Sequence, residues 1–357
     1  MGVFRKTAMA KEKRRAAPTR RKLNLALQGG GAQGAFTWGV LDRLLEEEPI
    51  DIGRISGTSA GALNGAALAT GLARGGRAGA KEHLAMLWEQ VAQAGSLMTF
   101  LMTPLRKPGM GVWDDMLPLL SPYQVNPLGM APLRHILNTV VDERLLREAA
   151  AAPRLYVNAL HVQTGSARIF GPADMSIDAI LASACAPLSY QAVEIEGEAY
   201  WDGSYSANPA LWPLYENNLD SDILLVELTP LHRAETPLSA KNILNRINEV
   251  ASVNGLVSEL RALDAVNRHV PSADIRMHVL SIADQPAGKL ATEPSIKRTV
   301  GRVVFEMLRQ DGRRACDAWL DEHGDQLGQQ ASADIAALYL QPYASGAALG
   351  KLSEIGL

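Results

Sequence analysis

A short apolar run, Leu23 to Leu27, has the length and character of a buried strand. The chain then passes through Gln28-Gly29-Gly30-Gly31-Ala32-Gln33-Gly34 into a segment, Ala35 to Glu48, where Phe36, Val40, Leu41, Leu44 and Leu45 share one helical face. Pro49 predicts the end of that helix, because proline cannot continue the hydrogen-bond ladder. A second strand-like run, Ile52 to Ser56, leads into Gly57-Thr58-Ser59-Ala60-Gly61 and then an Ala-rich helical stretch, Ala62 to Ala73. Strand, glycine loop, helix, strand, turn and helix in that order predict the start of a parallel α/β sheet.

After a turn at Gly75-Gly76, Lys81 to Ala94 reads as a helix with Leu84, Leu87, Trp88 and Val91 on one side. Regular pattern is lost between 95 and 130, where Met98, Phe100, Met102, Met110, Trp113, Met116 and Met130 sit among prolines. Soft thioethers suit an adaptable apolar surface, so this segment reads either as a packed insertion or as a lid or acyl-chain groove. Leu133 to Ala151 predicts a further helix, and Arg154 to His161 with Ala167 to Phe170 a hairpin about Gln163-Thr164-Gly165. Ile177 to Ala184 reads as a helix stopped before Pro187, and residues 192 to 202 as a second hairpin about Glu196-Gly197 that ends in Tyr200-Trp201-Asp202-Gly203. Strands at Asp222 to Leu228 and Arg276 to Ile282, with helices over 239–269 and 295–321, complete the pattern. The expected organisation is an arm at 1–22, an α/β domain at 23–230 and a mainly helical region at 231–357. That last region is expected to wrap the domain, since Arg276 to Ile282 is too isolated to found its own sheet.

Composition adds bounds. Of 357 residues, 47% are hydrophobic and 20% charged, which is enough apolar material for a well-buried core. A net charge of -3 argues against a general polyanion binder, so no nucleic-acid partner is expected. The charge is uneven, because the arm carries Arg5, Lys6, Lys11, Lys13, Arg14, Arg15, Arg20, Arg21 and Lys22 against Glu12. It reads as a solvated tail, or as a contact with anionic lipid head groups through residues 5–22. No apolar core follows these charges, so a secretory signal is not expected. With no run of about eighteen apolar residues, the expectation is a cytoplasmic protein, at most peripheral to a membrane. Cys185 and Cys316 have no metal or redox spacing and read as buried thiols.

The chemistry gathers at the loops after the first two strands. Gly57-Thr58-Ser59-Ala60-Gly61 is a G-x-S-x-G pattern between a strand and a helix, the setting of a nucleophile elbow. Its glycines are expected to absorb the crowding and positive φ of the turn, leaving Ser59 exposed at the apex. Gly29, Gly31 and Gly34 satisfy G-x-G-x-x-G, so one reading is a dinucleotide site with Glu48 or Asp51 on the ribose. The other is an oxyanion hole made by free amides, Gly30 and Gly31 first, facing Ser59 across the same sheet edge. No histidine has a recognisable triad setting, with His161 at a strand end the weak candidate. Asp202 is the stronger base, since it ends a strand before Gly203 and lies beside Tyr200 and Trp201, whose burial would raise a carboxylate pKa toward that of a useful base. No ligand cluster for a metal is evident.

Gly29 to Gly34, Gly57 to Gly61, Ala182-Ser183 before Pro187, and Asp202-Gly203, in that order, resemble the patatin-like phospholipases, bacterial members in particular. The resemblance spans about residues 22 to 230. It implies a patatin-like three-layer α/β fold with a mostly parallel central sheet flanked by helices. It also implies a Ser/Asp dyad without histidine: Ser59 as nucleophile, Asp202 as general base, the amides of Gly29, Gly30 and Gly31 as oxyanion hole, and no cofactor. Gly34, Gly57, Gly61 and Gly203 support the motifs. Two positions depart from the family's habit: Gln33 stands where Arg or Lys is common, and Ser204 where Gly or Ala is more usual. The expected activity is hydrolysis of a lipid acyl ester. An acyltransferase using the same serine, a catalytically weak lipid-binding module at a membrane surface, and a nucleotide-dependent oxidoreductase are the rivals.

Overall fold

The computed structural model describes residues 21–102, 121–229, 231, 236–285 and 301–340. Nearly all of the basic arm and residues 103–120 of the methionine-rich segment lie outside these, so the expectations for both concern residues beyond the description. In chain order the main elements are β1 (Arg21–Leu27), α1 (Gly34–Leu44), β2 (Ile50–Gly57), α2 (Ala60–Met102), α3 (Ala131–Val140) and α4 (Glu143–Glu148). Then follow β3 (Arg154–His161), β4 (Ala167–Phe170), α5 (Ile177–Ser183), β5 (Val193–Ile195) and β6 (Glu198–Asp202). The chain continues with β7 (Asp220–Glu227), α6 (Ala240–His269), β8 (Asp274–Ser281) and α7 (Arg302–His323).

All strands join one sheet in the order β5-β6-β3-β2-β1-β7-β8, with β4 also on β3. Strands β3, β2, β1, β7 and β8 are parallel, whereas β4 and β6 run antiparallel to β3, and β5 antiparallel to β6. The register does the positioning. Leu27 at the end of β1 pairs with Gly57 on one side and Val226 on the other, so the loops after β1, β2 and β7 leave from one level. Gly57 in turn pairs with Val157, and the antiparallel β6 brings its last residue, Asp202, opposite Ala159 just beyond.

Because β1 is central it is covered on both faces, which is why it reads as a continuous apolar run and not as an alternating one. Leu23, Leu25 and Leu27 face a core shared with Phe36 and Val40 of α1, Leu84 and Trp88 of α2, and Phe305 and Trp319 of α7. Ala26, Ile223 and Leu225 face the other way, onto Leu256, Leu260 and Leu263 of α6. The result is helices, sheet, helices, as the resemblance implies.

Two local expectations are corrected. Helix α1 stops at Leu44, not Glu48, because the chain tightens through Glu46 N–H to Arg43 O (3.0 Å) and Glu47 N–H to Leu44 O (3.1 Å). Arg77 collects the carbonyl of Leu45 at 3.1 Å, one of the groups the ending helix leaves without a partner. The single helix expected over 133–151 is two, because the Asp142 carboxylate accepts from Arg144 N–H (3.1 Å) and Leu145 N–H (3.3 Å) and so caps a new start. Helix α7 runs from Arg302 to His323, and residues 295–300 of the helix expected there lie outside the described residues. The break expected at Gly75-Gly76 is present, since both residues are non-helical, Gly76 with φ 60, and α2 kinks there.

Helices α1 and α7 cross at backbone contact: a Cβ at Gly312 would lie 2.1 Å from Phe36 O and 2.9 Å from Val40 N. Alanine favours a helix over glycine by about 1 kcal/mol, but the clash is with main chain and cannot be relieved by a side-chain rotation. Gly312→Ala is therefore expected to destabilise by about 1–3 kcal/mol, read as a lower Tm. Gly301→Ala, facing open space, is expected to stay within about 0.5 kcal/mol of wild type. A Gly312→Ala protein more stable than wild type would contradict the close crossing.

Candidate active site

Two residues, Thr58 and Ser59, turn the chain from β2 into α2. Positive φ falls on Ser59 itself (φ 53), not on the flanking glycines as expected from sequence. A non-glycine residue in that region costs on the order of 1 kcal/mol and persists only where neighbours impose it. They do so here by crowding: a Cβ at Gly61 would sit 2.0 Å from Leu27 O, and one at Gly57 2.6 Å from Gly61 O. The turn is held from outside as well, since Thr58 N–H donates to Leu27 O at 3.2 Å and Ser59 N–H to Ser183 Oγ at 2.9 Å. Ser59 is left half-buried at the apex.

Asp202 is buried at the end of β6. Its amide donates to Cys185 O at 2.9 Å, and its Oδ1 accepts from Ser204 N–H at 2.8 Å, capping the short turn Gly203–Tyr205. Burial pushes its carboxyl above the usual carboxylate range, while hydrogen bonds from the Ser204 amide, the Ser204 hydroxyl and the Ser59 hydroxyl pull it back. The Ser59 side chain is thus near enough to lower the pKa of the carboxylate that the sequence singles out as its base. Ser204, a departure at the sequence level, supplies an extra donor to that carboxylate.

The glycine loop closes the third side. A Cβ at Gly29 would lie 2.7 Å from Ser59 Cβ and 2.9 Å from Thr58 O, so only glycine lets this strand of main chain lie against the elbow. One site expectation is corrected: the Gly29 amide donates to Asn208 Oδ1 at 2.7 Å and is not free for an oxyanion. Among the described residues, the Gly30 and Gly31 amides meet no protein acceptor. Gly34 opens α1 against Ala60, where a Cβ would approach the Ala60 Cβ to 2.6 Å. Gln33 is fully buried, so this loop position is not a surface side chain reaching for substrate.

The residues that hold these parts in place are amides which the sequence did not mark. Asn158, buried on β3, accepts from the Thr58 hydroxyl and donates through Nδ2 to Gly203 O (3.0 Å) and Ala207 O (2.7 Å). One side chain therefore ties the elbow to the turn that carries Asp202. Gln28 accepts from Leu228 N–H (2.8 Å) and Thr229 N–H (2.9 Å), anchoring the glycine loop to the end of β7. The available signal was a lone polar residue inside an apolar strand, Leu155-Tyr156-Val157-Asn158-Ala159.

Two alternatives lose their geometry, the dinucleotide site and the histidine base. Glu48 and Asp51 stand before and at the start of β2, at the sheet edge opposite the glycine loop, roughly 20 Å away at about 3.3 Å per residue. His161 is occupied by Glu198 (2.7 Å) and Thr164 (2.9 Å) and stacks edge-on against Tyr200. Among the described residues, no group of three or more His, Cys, Asp or Glu is arranged to hold a metal ion, and no helix is long and apolar enough to cross a membrane. Both cysteines are buried, and that burial pushes each thiol up to about 12.

A family model described as patatin-like phospholipase matches residues 25–215, which takes in the glycine loop, the elbow and the Asp202 turn. No curated protein matches the chain. Among solved structures, the crystal structure of VipD from Legionella pneumophila is similar over 95% of this chain and 76% of that one, at 14% identity and a TM-score of 0.43.

The raised Asp202 pKa has a stability sign. A carboxyl whose folded pKa lies above its unfolded value costs stability wherever the pH exceeds both, and that cost fades as pH falls through the folded pKa. Asp202→Asn keeps an oxygen for the Ser204 amide without the charge, so it is expected to raise Tm at neutral pH, with the gain shrinking on acidification. A Tm below wild type at neutral pH would contradict a desolvated carboxylate at this position.

Proposed function

The chain belongs to the patatin-like phospholipase family, and from that premise we propose that it hydrolyses carboxylic esters of lipids with Ser59 as nucleophile and Asp202 as general base. The observation that carries this reading is the Ser59 side chain beside the buried Asp202 carboxylate, next to two glycine amides that meet no protein acceptor among the described residues. Asp202 takes the hydroxyl proton as Ser59 Oγ attacks the ester carbonyl. The Gly30 and Gly31 amides receive the oxyanion of the tetrahedral intermediate, a contribution whose loss typically costs about 2.7–4 kcal/mol per donor. Collapse breaks the ester bond, and protonated Asp202 gives its proton to the leaving alcohol. A water, deprotonated by Asp202 in turn, attacks the acyl-serine, and the second collapse releases the acid and restores Ser59.

An aspartate is an intrinsically weak base for a hydroxyl, since the reference values differ by many units. Burial of Asp202 narrows that gap from the base side. The start of α2, just past Ser59, narrows it from the other, because its positive dipole end favours a developing alkoxide. In this reading residues 23–230 are the catalytic domain, and 231–357 form a region that wraps it, with β8 paired to β7 and α7 crossing α1. The acyl ester is a lipid, and residues 5–22 would add attraction to an anionic lipid surface.

With p-nitrophenyl esters of graded chain length, Ser59→Ala is expected to abolish hydrolysis and Asp202→Asn to lower it by about 10²- to 10⁴-fold. The reading fails if Ser59→Ala leaves hydrolysis intact. Ser204→Ala removes a donor that holds the Asp202 pKa down, so the acid limb of kcat/KM should move to higher pH. An unmoved limb would show that this hydroxyl does not act on the base.

A further inference from the structure

Asn208 takes no part in the proton and acyl transfers, yet it is fully buried at the point where three parts of the site meet. Its Oδ1 accepts the Gly29 N–H at 2.7 Å, while its Nδ2 lies 3.4 Å from Gly29 O and donates to Ser252 Oγ at 2.6 Å. A single amide plane therefore meets both main-chain groups of Gly29 and is itself anchored on α6. Ser252 is buried, so that anchor is shielded from water. Asn208 also lies next to Ala207, whose carbonyl accepts from Asn158 at 2.7 Å, so the clamp is continuous with the brace on the elbow.

What this clamp holds is the spacing between the glycine loop and the nucleophile. Gly29 lies against Ser59, 2.7 Å from a would-be Cβ to the Ser59 Cβ, and the next two residues carry the amides with no protein acceptor. Without the Asn208 oxygen, the Gly29 N–H would be buried and unpaired, a costly state that the loop can escape by rotating its peptides. Rotation there swings Gly30 and Gly31 away from Ser59. We propose that Asn208 is a positioning residue for the oxyanion hole, fixing Gly29 so that the Gly30 and Gly31 amides point at the oxygen of the tetrahedral intermediate, with Ser252 as its outer anchor. This rests on Ser59 being the nucleophile.

An oxyanion forms only after attack, so a misaimed hole should weaken the transition state and leave substrate binding nearly unchanged. It should also leave the ionisation of Asp202 alone. Steady-state hydrolysis of one p-nitrophenyl ester, measured across pH with a Tm for every protein, tests this on Asn208→Ala, Ser252→Ala and Ser59→Ala. Asn208→Ala is expected to lose about 10- to 100-fold in kcat, with KM within about twofold and the acid limb of kcat/KM unmoved. Ser252→Ala is expected to lose less, about 2- to 5-fold in kcat with the same signature, because the contacts with Gly29 survive. A folded Asn208→Ala with kcat within about twofold of wild type, or a loss confined to KM, overturns the positioning role. If Asn208→Ala does not fold, Ser252→Ala decides in the same way, a reduced kcat supporting the role and an unchanged one overturning it. Full activity in Ser59→Ala would overturn the nucleophile assignment and this inference with it, whereas an inert Ser59→Ala beside an unaffected Asn208→Ala would overturn the positioning role alone.

Discussion

Main chain packs directly on main chain at the carboxyl edge of the sheet, and everything else in the site depends on that contact. Leu27 O lies 2.0 Å from where a Cβ of Gly61 would stand, and Thr58 O lies 2.9 Å from where one of Gly29 would stand. With no side chain between them, the loop after β1 and the elbow after β2 act as one rigid piece. The parallel register supplies the coincidence, since Leu27 is level with both Gly57 and Val226. Rigidity of this kind is what an electrostatic site requires, because donors already in place need not reorganise when charge develops.

Such a joint leaves buried peptide groups that water cannot reach, and the chain answers with carboxamides. Asn158 joins the Gly203 and Ala207 carbonyls to the Thr58 hydroxyl, Asn208 joins the main chain of Gly29 to the Ser252 hydroxyl, and Gln28 accepts through Oε1 from the amides of Leu228 and Thr229. A carboxamide suits this task because it offers both a donor and an acceptor without a charge to desolvate. Asp202 is a buried charge at the centre, and its desolvation is opposed by hydrogen bonding from Ser204 and Ser59. In the proposed mechanism the same burial that destabilises the carboxylate makes it a better base, so part of the stability of the fold would be exchanged for reactivity. A serine rather than an alanine or glycine at 204 moderates that exchange.

Much of this was legible in the amino-acid sequence, for physical reasons that differ by element. Strands β1, β3 and β4 could be read directly because turns bound their apolar runs, and α2 showed its kink through paired glycines. The elbow and the Asp202 turn were legible because few residue types tolerate such tight corners. Cap chemistry misled where a single aspartate mattered: Asp142 restarts a helix that periodicity alone would run through. The positive φ at Ser59 was not legible, since sequence invites one to give that burden to glycine, whereas here the glycines serve close approach. The Gly29 amide was misread for a related reason. Its partner, Asn208, lies far along the chain, and only the folded register shows that the donor is already spent.

The most direct test of the central claim, a serine activated by a buried aspartate, is covalent labelling by a fluorophosphonate, mapped by peptide mass spectrometry and timed across pH. The account predicts adduct on Ser59, a labelling rate that follows one ionisation above the ordinary aspartate range, and near-complete loss of labelling in Asp202→Asn. Adduct on another residue, or labelling of Asp202→Asn at the wild-type rate, would contradict it.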